Sequence, residues 1–100
     1  MTLAELFAEA GSSAGASDRR EAAAGSFEYV VNDRPFAALA GETAEFRLDP
    51  LVRRAALGTP DTMPSPRGPD WIAFRPTALD RFASDRATAW FLSAWRHARG

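Results

Sequence analysis

A chain of 100 residues with 46% hydrophobic and 11% aromatic content can close one hydrophobic core and is too short for two. Its formal net charge of −1 argues against bulk affinity for nucleic acid, and the absence of cysteine excludes a disulfide framework and thiol chemistry. No apolar run approaches the roughly 20 residues of a membrane span, and the opening MTLAELFAEA lacks the basic start of a signal peptide, so a cytoplasmic chain without membrane contact is expected.

The N-terminal residues place Leu3, Leu6, Phe7 and Ala10 at helical spacing, with Thr2 as N-cap and Gly11 as a stop. The stretch GSSAGAS that follows reads as a flexible linker, and Asp18 to Ala24 as a second short helix capped by Ser17 and ended by Gly25. Residues 1–25 are thus expected to form a helix and linker ahead of a single α+β domain at 26–100.

Residues 27–48, FEYVVNDRPFAALAGETAEFRL, read as three consecutive strands. Asn32 and Asp33 tolerate the left-handed conformations of a two-residue hairpin, which pairs Val31 with Arg34, Tyr29 with Phe36 and Phe27 with Ala38. A two-residue Gly41-Glu42 turn would then mix Glu45 and Arg47 into the apolar face. A three-residue Ala40-Gly41-Glu42 turn aligns Ala44, Phe46 and Leu48 with Phe36 instead, and is preferred. That register puts Glu28, Val30, Ala37, Leu39, Glu45 and Arg47 on the opposite, half-apolar face.

Asp49-Pro50 is a strong helix start, with the helix running through Leu57 to a stop at Gly58. Residues 58–70 hold four of the seven prolines and two glycines, which predicts a loop without strands or helices, long for a domain of this size. Trp71 to Arg75 resumes as a strand with Ile72 and Phe74 toward the core and Trp71 away from it. Thr77 with Asp80, and Ser84 with Asp85, offer two helix starts; a short turn around Leu79 and Phe82 and a helix from about 85 to 98 are expected. In that helix Ala87, Trp90, Phe91, Ala94, Trp95 and Ala98 share one arc, with Arg86, Ser93 and Arg96 opposite. The predicted architecture is a two-layer α+β fold, an antiparallel sheet of four to five strands covered by the C-terminal helix.

Reaction chemistry is not encoded in any recognisable constellation. The single histidine, His97, sits three residues from the C-terminus, where a helix-end role fits better than general-base catalysis. One histidine and no cysteine leave no zinc set, no nucleotide-cradling or serine-hydrolase motif occurs, and no catalytic residue, metal or cofactor is expected. The carboxylates Glu42 and Glu45 read as solvated. Arginine is the available chemistry: all twelve basic residues are arginine, and Arg53, Arg54 and Arg67 are the candidates for anion or nucleic-acid contact. Charge is uneven, with eight acids against three arginines in residues 1–45 and five against nine in 46–100. The favoured expectation is a non-enzymatic interaction module, a homodimer or a docking site for a protein partner, using Trp71, Val30 and Leu39 on the half-apolar sheet face; the alternative is that the loop 58–70 or the N-terminal helix, with Leu3, Leu6 and Phe7, covers that face within one chain.

The succession FEYVVNDRPFAALAGETAEFRLDP, short helix, Pro/Gly loop, DWIAFRP and DRATAWFLSAWRHA resembles two related small families, the TfoX N-terminal domain and the MmcQ/YjbR-like proteins, over about residues 26–98. The resemblance implies a secretion-chaperone-like α+β fold and supplies no catalytic residue. It also implies the roles associated with these families, competence regulation and suggested DNA binding.

Overall fold

Phe91 is the point on which the two layers of the molecule meet. Its ring, fully buried, lies 4.8 Å from Phe7, 5.4 Å from Tyr29 and 5.1 Å from Phe36, joining two helices to adjacent strands of a sheet. The computed structural model describes residues 1–15, 18–23 and 25–100. Among these, three helices, α1 (Leu3–Ala14), α2 (Pro50–Leu57) and α3 (Arg81–Arg99), accompany six strands: β1 (Asp18–Glu21), β2 (Ser26–Val31), β3 (Arg34–Ala40), β4 (Thr43–Arg47), β5 (Thr62–Pro64) and β6 (Trp71–Phe74). The strands form one antiparallel sheet in the order β1-β2-β3-β4-β6-β5, and the α+β fold carries α3 on one face.

Helix α1 starts at the expected Thr2, in a capping box: Thr2 Oγ1 accepts from Glu5 N at 3.2 Å and Glu5 Oε1 from Thr2 N at 3.0 Å. It runs past Gly11 and is capped at Gly15. Leu3, Leu6, Phe7 and Ala10 are buried in the same core as the sheet, so this N-terminal segment is continuous with the domain rather than set apart from it.

The expected helix at 18–24 is instead strand β1, paired with β2 from Asp18↔Val30 to Glu21↔Phe27; Ser17 and Ala24 lie outside the described residues. Four charged residues in a row carry no burial period, and the free backbone edge of β2 decides their conformation. Arg20 reaches Glu28 across the strand pair, and Arg19 lies 4.5 Å over the Phe27 ring.

The hairpin at Asn32-Asp33 forms as expected, both residues having positive φ (51° and 63°) and Val31 facing Arg34. Beyond Val30↔Pro35 the register slips by one: Tyr29 faces Ala37, Phe27 faces Leu39, and Phe36 is the extra residue of a β-bulge. The next turn is the two-residue Gly41-Glu42, with φ of +60° at Gly41, and not the three-residue turn. The bulge supplies the extra residue that the longer turn was invoked to supply, so Ala44 and Phe46 still face the core. Ala37 and Leu39 now point into that core, and Ala38 away from it.

Asp49 caps α2 through bonds from Leu51 N and Val52 N at 2.9 and 3.2 Å, as its sequence predicts. Part of the proline-rich segment is ordered as β5 because Thr62, Met63 and Pro64 pair with Phe74, Ala73 and Ile72; Pro64 is tolerated at the end of an edge strand. Helix α3 is continuous from Arg81, with Asp80 as its N-cap accepting from Ala83 N at 2.9 Å, replacing the expected turn and later start. Ala87, Trp90, Phe91, Ala94 and Ala98 are buried as expected, Trp95 partly. Phe82 is exposed.

Replacing Phe91 by alanine removes a ring in contact with three others and is expected to cost about 3–5 kcal/mol. Phe82→Ala, one helix with the same chemistry but exposed, should stay within about 0.5 kcal/mol of wild type. Urea denaturation followed by circular dichroism compares the two.

Candidate binding surfaces

Two surfaces bear on the expected sites and on the exposed apolar side chains: the sheet face turned away from the helices, and the outside of the helix layer. The first is built on a single cross-strand row. Arg20 faces Glu28, Glu28 faces Ala38, Ala38 faces Glu45 and Glu45 faces Ala73. The two glutamates therefore stand on either side of a methyl group, about 10 Å apart across two strand spacings. Arg67, from the loop after β5, spans that gap: its Nη1 donates to Glu28 Oε2 at 2.8 Å and its Nε to Glu45 Oε1 at 2.9 Å. Arg20 donates to the other Glu28 oxygen at 3.1 Å through both Nε and Nη2, and the Ser65 hydroxyl donates to Glu45 Oε2.

The same loop covers Trp71. Arg67 lies 5.2 Å over its ring, and Gly68 passes so close that a β-carbon there would sit 3.4 Å from the indole Cδ1. Trp71 N donates to Gly68 O at 3.2 Å, while Trp71 O accepts from Ser65 N and from Arg53 Nε. Trp71 is left 9% exposed, Val30 7% and Ala38 2%. Of the two readings of this face, an open contact surface or one covered by the loop 58–70, the second is the one found. Leu39 is not on it at all; the Phe36 bulge turns Leu39 into the core.

Electrostatically the network favours its charged form. The Glu28 carboxyl is held below its ordinary value of 4.5, chiefly by the hydrogen bond from Arg67, with desolvation opposing and Arg20 assisting. For Arg67, desolvation pulls the pKa down most strongly, yet the bonds and charges of Glu28 and Glu45 together outweigh it and raise the net value.

These contacts take Arg67 out of the expected anion site, committing it to two carboxylates. Arg53, half-buried with its Nε on the Trp71 carbonyl, and Arg54, exposed on α2, line one depression that also holds Asp70. Glu45, read as solvated, is a structural acceptor whose cross-strand register with Glu28 depends on the bulge. His97 is exposed at the end of α3, and no group of three potential metal-ligating side chains occurs among the described residues.

The second surface is a cleft of about 410 Å³ between α2 and α3, lined by Leu51, Val52, Ala55 and Thr59 on one side and Arg86 and Trp90 on the other. Leu51 is 76% exposed and Phe82, one turn before Arg86 on α3, 72%. Arg86, expected on the solvent side of its helix, is half-buried with its guanidinium 5.6 Å from the Phe74 ring centre. Its Nε is buried and has no acceptor among the described residues. Sequence periodicity missed this surface because it put Phe82 in a short turn separate from the helix and Arg86 opposite the apolar arc.

Comparison with protein-family models, curated proteins and solved structures found no match. The candidate surfaces therefore rest on geometry. No helix among the described residues is long and apolar enough to cross a membrane.

Replacing Ala38 by leucine fills the space over which Arg67 bridges the glutamates, and is expected to cost about 1–3 kcal/mol by displacing the guanidinium. Because Glu28 is more acidic in the folded state, its contribution to stability is present above pH 4.5 and is lost as pH falls through its lower folded value. Arg67→Gln should lower stability by about 1–2 kcal/mol at neutral pH and shrink the acid-induced loss. Urea midpoints measured from pH 7 down to pH 3 test both statements. Trp71→Ala should lower the melting temperature without changing sedimentation behaviour.

Proposed function

We propose that the chain is a non-enzymatic docking module that takes a protein partner on its helix layer, in the cleft between α2 and α3. The observation that carries this reading is Leu51, 76% exposed on the wall of an apolar cleft that Arg86 and Trp90 line from α3, with Phe82, 72% exposed, one turn before Arg86 on the same helix. Single exposed apolar residues are ordinary, and Met63 is of that kind; an exposed leucine on the wall of an apolar cleft is part of a surface that gains by being covered.

The remaining surfaces offer less. The outer sheet face is sealed by the Arg67 loop. Both sheet edges are blunted: β1 is Asp-Arg-Arg-Glu, exposed throughout, and β5 has three residues and ends in Pro64. Charged, short and proline-bearing edges disfavour strand addition by another chain. The nucleic-acid reading loses Arg53 and Arg67 to internal bonds.

Affinity capture with the immobilised chain tests this reading. A partner enriched by the wild type should be lost with Leu51→Asp and with Phe82→Asp, and retained with Met63→Asp, all three variants folded by circular dichroism. Retention by the first two, or loss with the third alone, places the contact elsewhere. If the wild type dimerises in sedimentation velocity and Leu51→Asp makes it monomeric, the partner is a second copy.

A further inference from the structure

The chemistry of the occupant can be read from the cleft, resting on the docking reading above. We infer that the cleft receives an amphipathic helix of a different protein, carrying a carboxylate that accepts from Arg86 next to the apolar side chains that meet Leu51 and Phe82.

Arg86 supplies the polar half of the argument. Its guanidinium is spread over Phe74 at the floor of the helix layer, and its Nε is shut off from water with no acceptor among the described residues. Arg86 nevertheless lines the cleft and makes no hydrogen bond or ion pair among the described residues, and an arginine fork matches a carboxylate better than any other side chain. The lining brings no acid to it: the residues around the cleft are Leu51, Val52, Ala55, Thr59 and Trp90. The nearest carboxylate in sequence, Asp85, is exposed on the neighbouring turn position, and Asp49 at the start of α2 is engaged by the amides of Leu51 and Val52. Among the described residues Arg86 is the one charged residue on the cleft lining, so the local charge of the cleft is positive.

The apolar half decides the form of the occupant. The cleft runs between two helices, with aliphatic side chains on one wall and indole on the other, the setting in which an amphipathic helix lays down an apolar stripe. A strand is disfavoured because both sheet edges are blunted. A second copy of this chain fits poorly. Meeting cleft to cleft, two copies would oppose Arg86 to Arg86 with no acid between them. Meeting through α1, the partner copy would offer Glu5 and Glu9 with Ala8 and Ser12 beside them and a single large apolar side chain, Met1, ahead of the helix, which makes no apolar stripe.

Three synthetic helical peptides of about 15 residues test the inference, identical in a leucine stripe at i, i+3, i+4 and i+7 but carrying Glu, Gln or Lys beside it. Sodium dodecanoate serves as a small amphiphile. Titrated into the ¹⁵N-labelled full chain, the Glu peptide should shift the amides of Leu51, Val52, Phe82 and Arg86, and bind at least about tenfold more tightly than the Gln peptide. Its binding should weaken as salt rises. Arg86→Gln should bring the two affinities within about twofold without unfolding the chain.

Equal affinity of the Glu and Gln peptides for wild type, or a preference that survives Arg86→Gln, overturns the assignment of an acidic partner. Dodecanoate seated in the cleft while the Glu peptide is not would overturn the helix in favour of a small carboxylate ligand. If no probe moves the cleft resonances, the inference fails by itself. The docking reading fails separately, through the Leu51→Asp and Phe82→Asp capture experiment.

Discussion

The β-bulge at Phe36 is the constraint on which the arrangement of this molecule depends. Two two-residue turns, at Asn32-Asp33 and Gly41-Glu42, would by themselves put β4 out of phase with β2, and charged Glu45 and Arg47 would share a face with Phe27 and Tyr29. One extra residue between Val31 and Ala44 restores the phase. The chain spends it in the middle of β3, where Phe36 and Ala37 both reach the core, instead of at the turn. Everything on the two faces follows. Phe46 and Leu48 stay inside, Leu39 joins them, and Ala38 is turned outward between Glu28 and Glu45, where only a small side chain leaves room for Arg67.

That history shows which parts of the fold were legible in the sequence. The need for an extra residue is visible in the alternation of apolar side chains; its location is not, because turn and bulge solve the same parity problem and differ only in strand twist and packing against Phe91. Elements whose ends are set by local chemistry were readable: Thr2 with Glu5, Asp49 with Pro50, the Asn-Asp hairpin and the apolar arc of α3. Elements held by tertiary contact were not. Asp-Arg-Arg-Glu is a strand because β2 has an open edge and Glu28 awaits Arg20, and Thr-Met-Pro is a strand because β6 has one too. The binding surfaces share this asymmetry. Trp71 was correctly placed away from the core layer, but its cover comes from a loop whose path over the sheet is fixed by long-range bonds from Arg67.

The arginines illustrate why residue counts are a poor guide to ligands. Arg34 donates to the Ala98 carbonyl near the end of α3, Arg53 to the Trp71 carbonyl, and Arg67 and Arg20 to carboxylates. Arg19 and Arg99 lie over Phe27 and Trp95. A planar, permanently charged fork on a long aliphatic stem can cover an aromatic ring and still donate at its rim, so it substitutes for apolar cover in a domain this small. Abundant arginine here is largely internal scaffolding.

Arg86 departs from that pattern in one respect. It covers Phe74 as its counterparts cover other rings, yet its Nε is enclosed without an acceptor among the described residues, at the edge of a cleft whose other residues, Thr59 apart, are apolar. The sheet leaves few alternatives for contact: one face is packed on α1 and α3, the other is strapped by the loop of Arg67, and its two edges end in charge and in proline. The cleft between α2 and α3 carries Leu51, the most exposed large apolar side chain among the described residues, on its wall, and Phe82 stands one turn before Arg86 on α3. An added helix there would complete the layer over β6, cover Leu51 and Phe82, and bring an acceptor to Arg86. One occupant answers the apolar and the polar deficit together, which ties the two observations to a single surface.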